Sequence, residues 1–269
     1  MIGEGALLFL SLYPWNLGIS GIYTLGDYSM DRFYRSEKVF VSMDRRRHDM
    51  IVAGYEHLTI ADDLGIYRQD NLLFRGVFWL RPEFRLGSVA GVSQSNSVNE
   101  GWLIGAQAEG DLPWFGYSAD YTFLEFQGWQ PQQNDWIVSE FPITQWTFGI
   151  SQAYGPILLR EVVSAQSTRG NDYLKVTGKI ACRIGDRLVG TLYGESGESR
   201  YALDPYLLVL DNNPDILNLS FGLHVSYQVV RNLSVSCEAL RKEYTPVFRF
   251  DGSTDYHVRY LAFGLLLRV

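Results

Sequence analysis

What most limits the folds open to this chain is a two-residue alternation of large apolar with small or polar side chains, recurring from Asn16 to the C-terminus. Leu217, Leu219, Phe221, Leu223, Val225 and Tyr227 alternate with Asn218, Ser220, Gly222, His224 and Ser226. Phe115, Tyr117, Ala119, Tyr121 and Phe123 likewise oppose Gly116, Ser118, Asp120 and Thr122, and Trp146, Phe148 and Ile150 oppose Thr147, Gly149 and Ser151. Leu174, Val176, Gly178 and Ile180 oppose Lys175, Thr177, Lys179 and Ala181, while Trp102, Ile104, Ala106 and Ala108 oppose Gly105, Gln107 and Glu109. A period of two puts successive side chains on opposite faces of a strand, so each segment has one greasy and one small or polar face.

The connections carry a second periodicity. Tight turns fall at 45–49, 81–83, 110–113, 155–156, 185–186 and 231–232. Between them lie long polar connections at 27–37, 59–71, 93–100, 127–142, 167–172, 196–215 and 241–255, and short and long never swap places. A meander with short turns at one end and long loops at the other is what an up-and-down barrel demands, and a Greek-key sandwich does not produce it. Strands are expected to start near Asn16, Lys38, Asp49, Leu72, Phe84, Gly101, Phe115, Thr144, Ile157, Tyr173, Arg187, Ile216, Leu233 and Tyr256. That is about 14 strands, with a range of about 12 to 16 because the apolar run at 6–13 is ambiguous.

Composition agrees. Of 269 residues 14% are aromatic, with 26 Gly and only 4 Met, a balance that favours strands and turns over helical bundles. At 46% hydrophobic and 20% charged, the chain has too much apolar surface to stay disordered. With 23 Lys and Arg against 30 Asp and Glu, net charge −7 argues against a nucleic-acid binder that works by phosphate neutralisation. Cys182 and Cys237 are too few for a disulfide scaffold and lack C-x-x-C spacing, so they read as small buried or lipid-facing residues. No stretch approaches the ~18 apolar residues of a spanning helix, and mean hydropathy is −0.07, which excludes a helical membrane protein but not a barrel. Residues 1–12 (MIGEGALLFLSL) have an apolar run but no basic leader or clear cleavage site. The expected organisation is an N-terminal segment, 1–15, truncated or preceding the barrel, and a barrel over 16–269, with no second domain.

On these features the sequence resembles Gram-negative outer-membrane β-barrels over nearly its whole length. Its last strand resembles the insertion signal of that class, with Leu261, Phe263, Leu265, Leu267 and Val269 alternating outward, although it ends in Val where such barrels usually end in Phe. In size and strand count it looks like monomeric porins of the OmpG type and like the barrels of polysaccharide export proteins of the YaiO type. The resemblance implies an all-β, antiparallel transmembrane barrel in the outer membrane. It would touch membrane lipid and lipopolysaccharide, carry its long loops outward, and leave room for a periplasmic partner.

Volume indicates which face is wet. Gly, Ser, Thr and Ala cannot fill the interior of about 14 strands, whereas large aromatics facing lipid need no filling. Trp15, Trp114, Tyr154 and Tyr227 sit beside tight turns, where an aromatic girdle meets headgroups. The pore-lining candidates are Arg75, Arg81 and Arg85 on the fourth and fifth strands and Lys175, Lys179, Arg183 and Arg187 on the tenth and eleventh. Acids fall beside them: Glu109 and Asp120 on one wall, Glu195 and Glu238 on the other, with His224 among small lining residues. Two readings of these charges stand, a transverse field across the pore or mutual pairing that stiffens the wall. Arg45, Arg46, Arg47, Arg231 and Arg268 also gather near tight turns, as snorkelling residues or as a basic vestibule. The loops at 128–140 and 201–215 are acidic and aromatic, suited to fold into the pore or to meet a partner.

There is no G-x-S-x-G, P-loop or H-E-x-x-H, the four His (His48, His57, His224, His257) form no catalytic pattern, and 211–215 lacks calcium-loop spacing. No catalytic residue, cofactor or metal is expected. The function expected is a channel passing small polar solutes or a secreted polysaccharide. Its rivals are a plugged structural or adhesive barrel, a lipid-active barrel enzyme and, at the level of fold, a soluble β-sandwich.

Overall fold

Each alternating segment pairs with its neighbours in sequence, and the first pairs with the last. The computed structural model describes residues 16–29, 32–45, 49–62, 65–81, 83–96, 100–112, 114–132, 135–168, 171–200, 203–204, 209–210, 215–246 and 254–269. Its barrel strands are β1 Asn16–Tyr28, β2 Arg32–Arg45, β3 Asp49–Asp62, β4 Gly65–Arg81, β5 Phe84–Ser95, β6 Glu100–Asp111, β7 Gly116–Gln132, β8 Asp135–Tyr154, β9 Ile157–Thr168, β10 Asn171–Ile184 and β11 Leu188–Ser199. After β12 Leu203–Asp204 and β13 Val209–Leu210, which pair only with each other, come β14 Ile216–Val230, β15 Leu233–Thr245 and β16 Tyr256–Arg268. The fourteen barrel strands run antiparallel and close, β1 meeting β16 from Gly18 opposite Arg268 to Tyr28 opposite Val258.

Sidedness follows from register, because directly opposed residues share a face. Phe221 and Leu223 are each 50% exposed and Phe148 55%, whereas Ser220 and Thr122 are 1% exposed. The greasy rows therefore lie outside and the small polar rows inside, the reverse of a water-soluble barrel. On β4 the outward row runs Leu80, Phe78, Gly76, Phe74, Leu72 before Asp70. At about 3.3 Å per residue on a strand tilted about 40°, such a row covers roughly 20–25 Å, the height of a hydrocarbon band. Exposed Trp114, Tyr154 and Tyr227 mark its lower edge at the tight turns. Cys182 and Cys237 are free thiols on outward rows.

Three strands start earlier than the alternation predicts: β2 at Arg32 instead of Lys38, β4 at Gly65 instead of Leu72, and β8 at Asp135 instead of Thr144. Most of the expected long connections are in fact strand. The joins at 29–31, 63–64, 96–99, 133–134 and 169–170 are short, and only those after β11 and β15 are long. The physical reason is that above the apolar band both faces of a strand meet polar surroundings. The alternation fades there while the backbone ladder continues. The expected N-terminal segment, Trp15, and Arg46, Arg47 and His48 lie outside the described residues.

Inside the wall a ring lies over a glycine of the neighbouring strand. A Cβ on Gly222 would sit 2.5 Å from Cζ of Tyr193, so glycine is what lets that ring lie flat against β14 and reach β15.

The sidedness predicts an asymmetric response to charge. Leu223→Arg, at mid-height on the lipid face, is expected to lower the unfolding free energy in lipid vesicles by about 2–4 kcal/mol. Thr191→Arg on the adjoining inward row should cost much less, as read by urea titration of tryptophan fluorescence.

Candidate functional site

A barrel of fourteen strands has a backbone radius of roughly 14 Å, so a single layer of small side chains cannot close it. The lumen is narrowed first by the chain itself. At the end of β11 the register with β14 slips between Ser196 and Ser199, where Gly197 takes φ +106°. Past this point the chain leaves the wall for the interior. The Arg200 amide donates to Oε1 of Gln166 at 2.9 Å, and the Leu203 amide to Oε1 of Gln145 at 3.2 Å. Nε2 of Gln145 donates back to the Leu203 carbonyl at 2.8 Å. The Gln145 amide thus pairs with Leu203 as an opposing peptide unit would in a sheet. Gln166 braces it through a 3.0 Å bond to Gln145.

Leu203 also packs into an apolar cluster on the inner face of β4 to β8, formed by Leu73, Val89, Leu103, Leu124, Phe126 and Ile143. A second inner cluster joins Tyr28, Leu217, Tyr244, Tyr256 and Val258 at the far end from the tight turns. Tyr244 stacks on Tyr256 with centroids 5.3 Å apart, and the Tyr256 hydroxyl donates to Asp215 at 2.7 Å. The lumen is therefore polar but not uniformly so. The alternation cannot reveal these clusters, because Leu73 follows Leu72, and Leu124 follows Phe123, with both faces apolar.

Of the residues expected to line a pore, Arg75, Arg85, Glu109, Asp120, Lys175, Lys179, Glu195, His224 and Glu238 lie on inward rows. Arg81 and Arg187 instead sit exposed at the tight-turn rim, where their strands end, and Arg183, which continues the inward row of β10, is exposed at the same rim. Arg75, almost fully buried, donates to Gln107 at 3.0 Å and to Glu109 at 2.6 Å. Arg85 reaches Asp111 at 2.8 Å, lies 3.6 Å from Glu109, and stacks over Trp79. Buried Asp120 stands between Gln107 and Thr147 in register. On the far wall Lys175 is 3.4 Å from Glu195, and the Tyr193 hydroxyl makes a short hydrogen bond to Glu238. His224 sits opposite Thr191 and Glu238. Arg75 and Lys175 are six strands apart around the ring of fourteen, but each has an acid of its own wall as partner.

A third network escapes a reading of the sequence. Lys38 pairs with Glu56 at 3.1 Å, Ser36 donates to Glu56 at 2.7 Å, and Asn71 to the same carboxylate at 3.1 Å. Ser36 and Asn71 fall in stretches expected to be connections. Carrying the inward phase of Phe40 and Ser42 upward through Lys38 and Ser36 is the signal that finds them. Among the described residues no group of three or more His, Cys, Asp or Glu is placed to hold a metal ion.

Removing Glu109 leaves a buried guanidinium without its carboxylate. Glu109→Ala is expected to cost about 3 kcal/mol in unfolding free energy, and Arg75→Met with Glu109→Leu to recover most of it, in the same vesicle titration.

No family model matches the chain, and no curated protein is similar to it in sequence. Similar solved structures include the CymD monoaromatic hydrocarbon channel, with TM-score 0.59 and 9% identity over 99% of this chain and 91% of that one. A Pseudomonas aeruginosa FadL homologue has TM-score 0.56 and 8% identity over 94% of this chain and 89% of that one. The Pseudomonas putida toluene transporter TodX has TM-score 0.55 and 8% identity over 99% and 93%. At such identities the likeness speaks for architecture alone: the fold is that of the outer-membrane β-barrels, a closed fourteen-stranded transmembrane barrel.

Proposed function

We propose that this chain is an outer-membrane channel through which small polar solutes pass by diffusion. The observation that carries this reading is the sidedness of the wall, apolar rows outside and small, hydroxylic and charged rows inside. Such a lumen holds water, and water-filled lumens conduct. The similar structures include a monoaromatic hydrocarbon channel and a toluene transporter, which supports a channel without naming the solute. Arg200 and Leu203, held inside the wall by Gln166 and Gln145, take up part of the path, which favours small solutes over a secreted polymer. Outside, Arg35, Arg241 and Arg259 lie above the apolar rows, at the level where lipid headgroups and lipopolysaccharide phosphates would meet the wall.

A second reading has its own support. Leu124, Ile143 and Val258 point inward yet have no exposure, as the lining of a plugged, purely structural barrel would. Planar-bilayer recording separates the two. The channel reading expects discrete single-channel steps from the purified, heat-modifiable barrel, and folded protein without steps would sink it. Gln145→Ala, which removes both bonds to Leu203, is expected to raise unit conductance, by roughly one-half or more, with barrel stability changed by only about 1 kcal/mol.

A further inference from the structure

On β1 the outward row runs Leu17, Ile19, Gly21, Tyr23 and Leu25 before Asp27, so one glycine interrupts a row of large apolar side chains. A Cβ at Gly21 would meet nothing nearer than the Lys38 carbonyl oxygen at 3.9 Å, so no neighbour fills the gap. Gly21 is the floor of a groove of about 330 Å³ beside the barrel seam, a volume at the low end of those that hold small apolar ligands. Tyr23, Phe263 and Leu265, which wall it, are 37%, 49% and 52% exposed on outward rows, so the groove faces hydrocarbon and not the lumen. Its end away from the tight turns is polar. Glu37 lines the groove there and accepts a hydrogen bond from Arg35, whose guanidinium lies 5.4 Å over the Tyr23 ring. On the other side of β1, Arg259 is exposed opposite Asp27 and makes no ion pair among the described residues.

We propose that this groove docks one lipopolysaccharide molecule: an acyl chain lies over Gly21 between Tyr23 and Leu265, and a headgroup phosphate meets Arg35 and Arg259 above it. The inference does not depend on conduction, only on the barrel standing in the outer membrane. Whatever fills a groove in the hydrocarbon band must carry an apolar chain. In the loop-side leaflet of that membrane the chains belong to lipopolysaccharide, whose phosphates sit directly over them. Arg35 is opposite Leu25 and Arg259 opposite Asp27, on the two strands flanking β1, so one phosphate placed over Leu25 is within reach of both guanidinium groups. Glu37 and Asp27 lie beside these arginines, so the patch has little hold on a free anion. The chain in the groove supplies the affinity, and the arginines select a phosphorylated head.

The test is native mass spectrometry of the full chain released from mild detergent, with diphosphorylated lipid A, its dephosphorylated form or inorganic phosphate added. Wild type should retain one lipid A and no inorganic phosphate. Gly21→Leu, which fills the groove, should cut retention roughly tenfold, and Gly21→Val, a smaller filling, should fall between. Arg35→Gln with Arg259→Gln should cut retention of diphosphorylated lipid A roughly fivefold and leave that of the dephosphorylated form unchanged. Gly178→Leu, on the outward row of β10 where a Cβ likewise meets nothing within 4 Å, should behave as wild type. Each variant should keep heat-modifiable gel mobility. Lipid A held by Gly21→Leu as well as by wild type, or retention that phosphate removal does not change, would overturn the proposal. So would a dimer that Gly21→Leu splits while lipid A retention holds, which would assign the groove to a second copy of the chain. Each of these results leaves the channel reading untouched.

Discussion

In hydrocarbon an unpaired backbone amide or carbonyl costs several kcal/mol, so a sheet can cross a membrane only if it has no free edge. Here that requirement is met where β1 meets β16, along an unbroken run of opposed residues from Gly18 to Tyr28. Everything else depends on the seam. Once the sheet is closed, period-two alternation becomes a division between lipid and lumen. Each inward side chain then acquires fixed neighbours across the pore as well as along it.

Closure also explains why the interior is layered. The wall is too wide for its own small residues to fill, so what occupies the lumen must be brought there by specific contacts. The Gln145 amide holds Leu203, and Leu73, Leu124 and Ile143 form an apolar seat beneath it. Arg75 and Lys175 keep their charge inside by pairing along the wall, with Glu109 and Glu195. An ion pair in a wet tube needs no partner from the opposite side.

Much of this was legible in the sequence, and the rest failed for identifiable reasons. The phase of Phe221 and Ser220, or of Tyr121 and Thr122, was enough to decide what lies outside, because the volume of a barrel this wide leaves no alternative. The alternation does not mark the strand ends at Arg32, Gly65 and Asp135, because it reports the solvent on each face and backbone pairing does not require that contrast. Ser36 and Asn71, which complete the network around Glu56, are hidden for the same reason, since both lie where the alternation fades. Arg81, Arg183 and Arg187 share the composition of lining residues, but their place at strand termini puts them on the rim, and termini are what pattern reading resolves least well. The seat for Leu203 was out of reach of any local pattern, since Gln145 and Leu203 are 58 residues apart.

The bond between Gln145 and Leu203 joins a side chain to a backbone, and no rung of the barrel ladder runs through it. Leu203 can therefore let go while every strand of the cylinder stays zipped. Tube and stricture are then separate cooperative units, with separate free energies of opening. Hydrogen exchange at the Leu203 amide would report the weaker unit, and exchange along β1 and β16 the stronger.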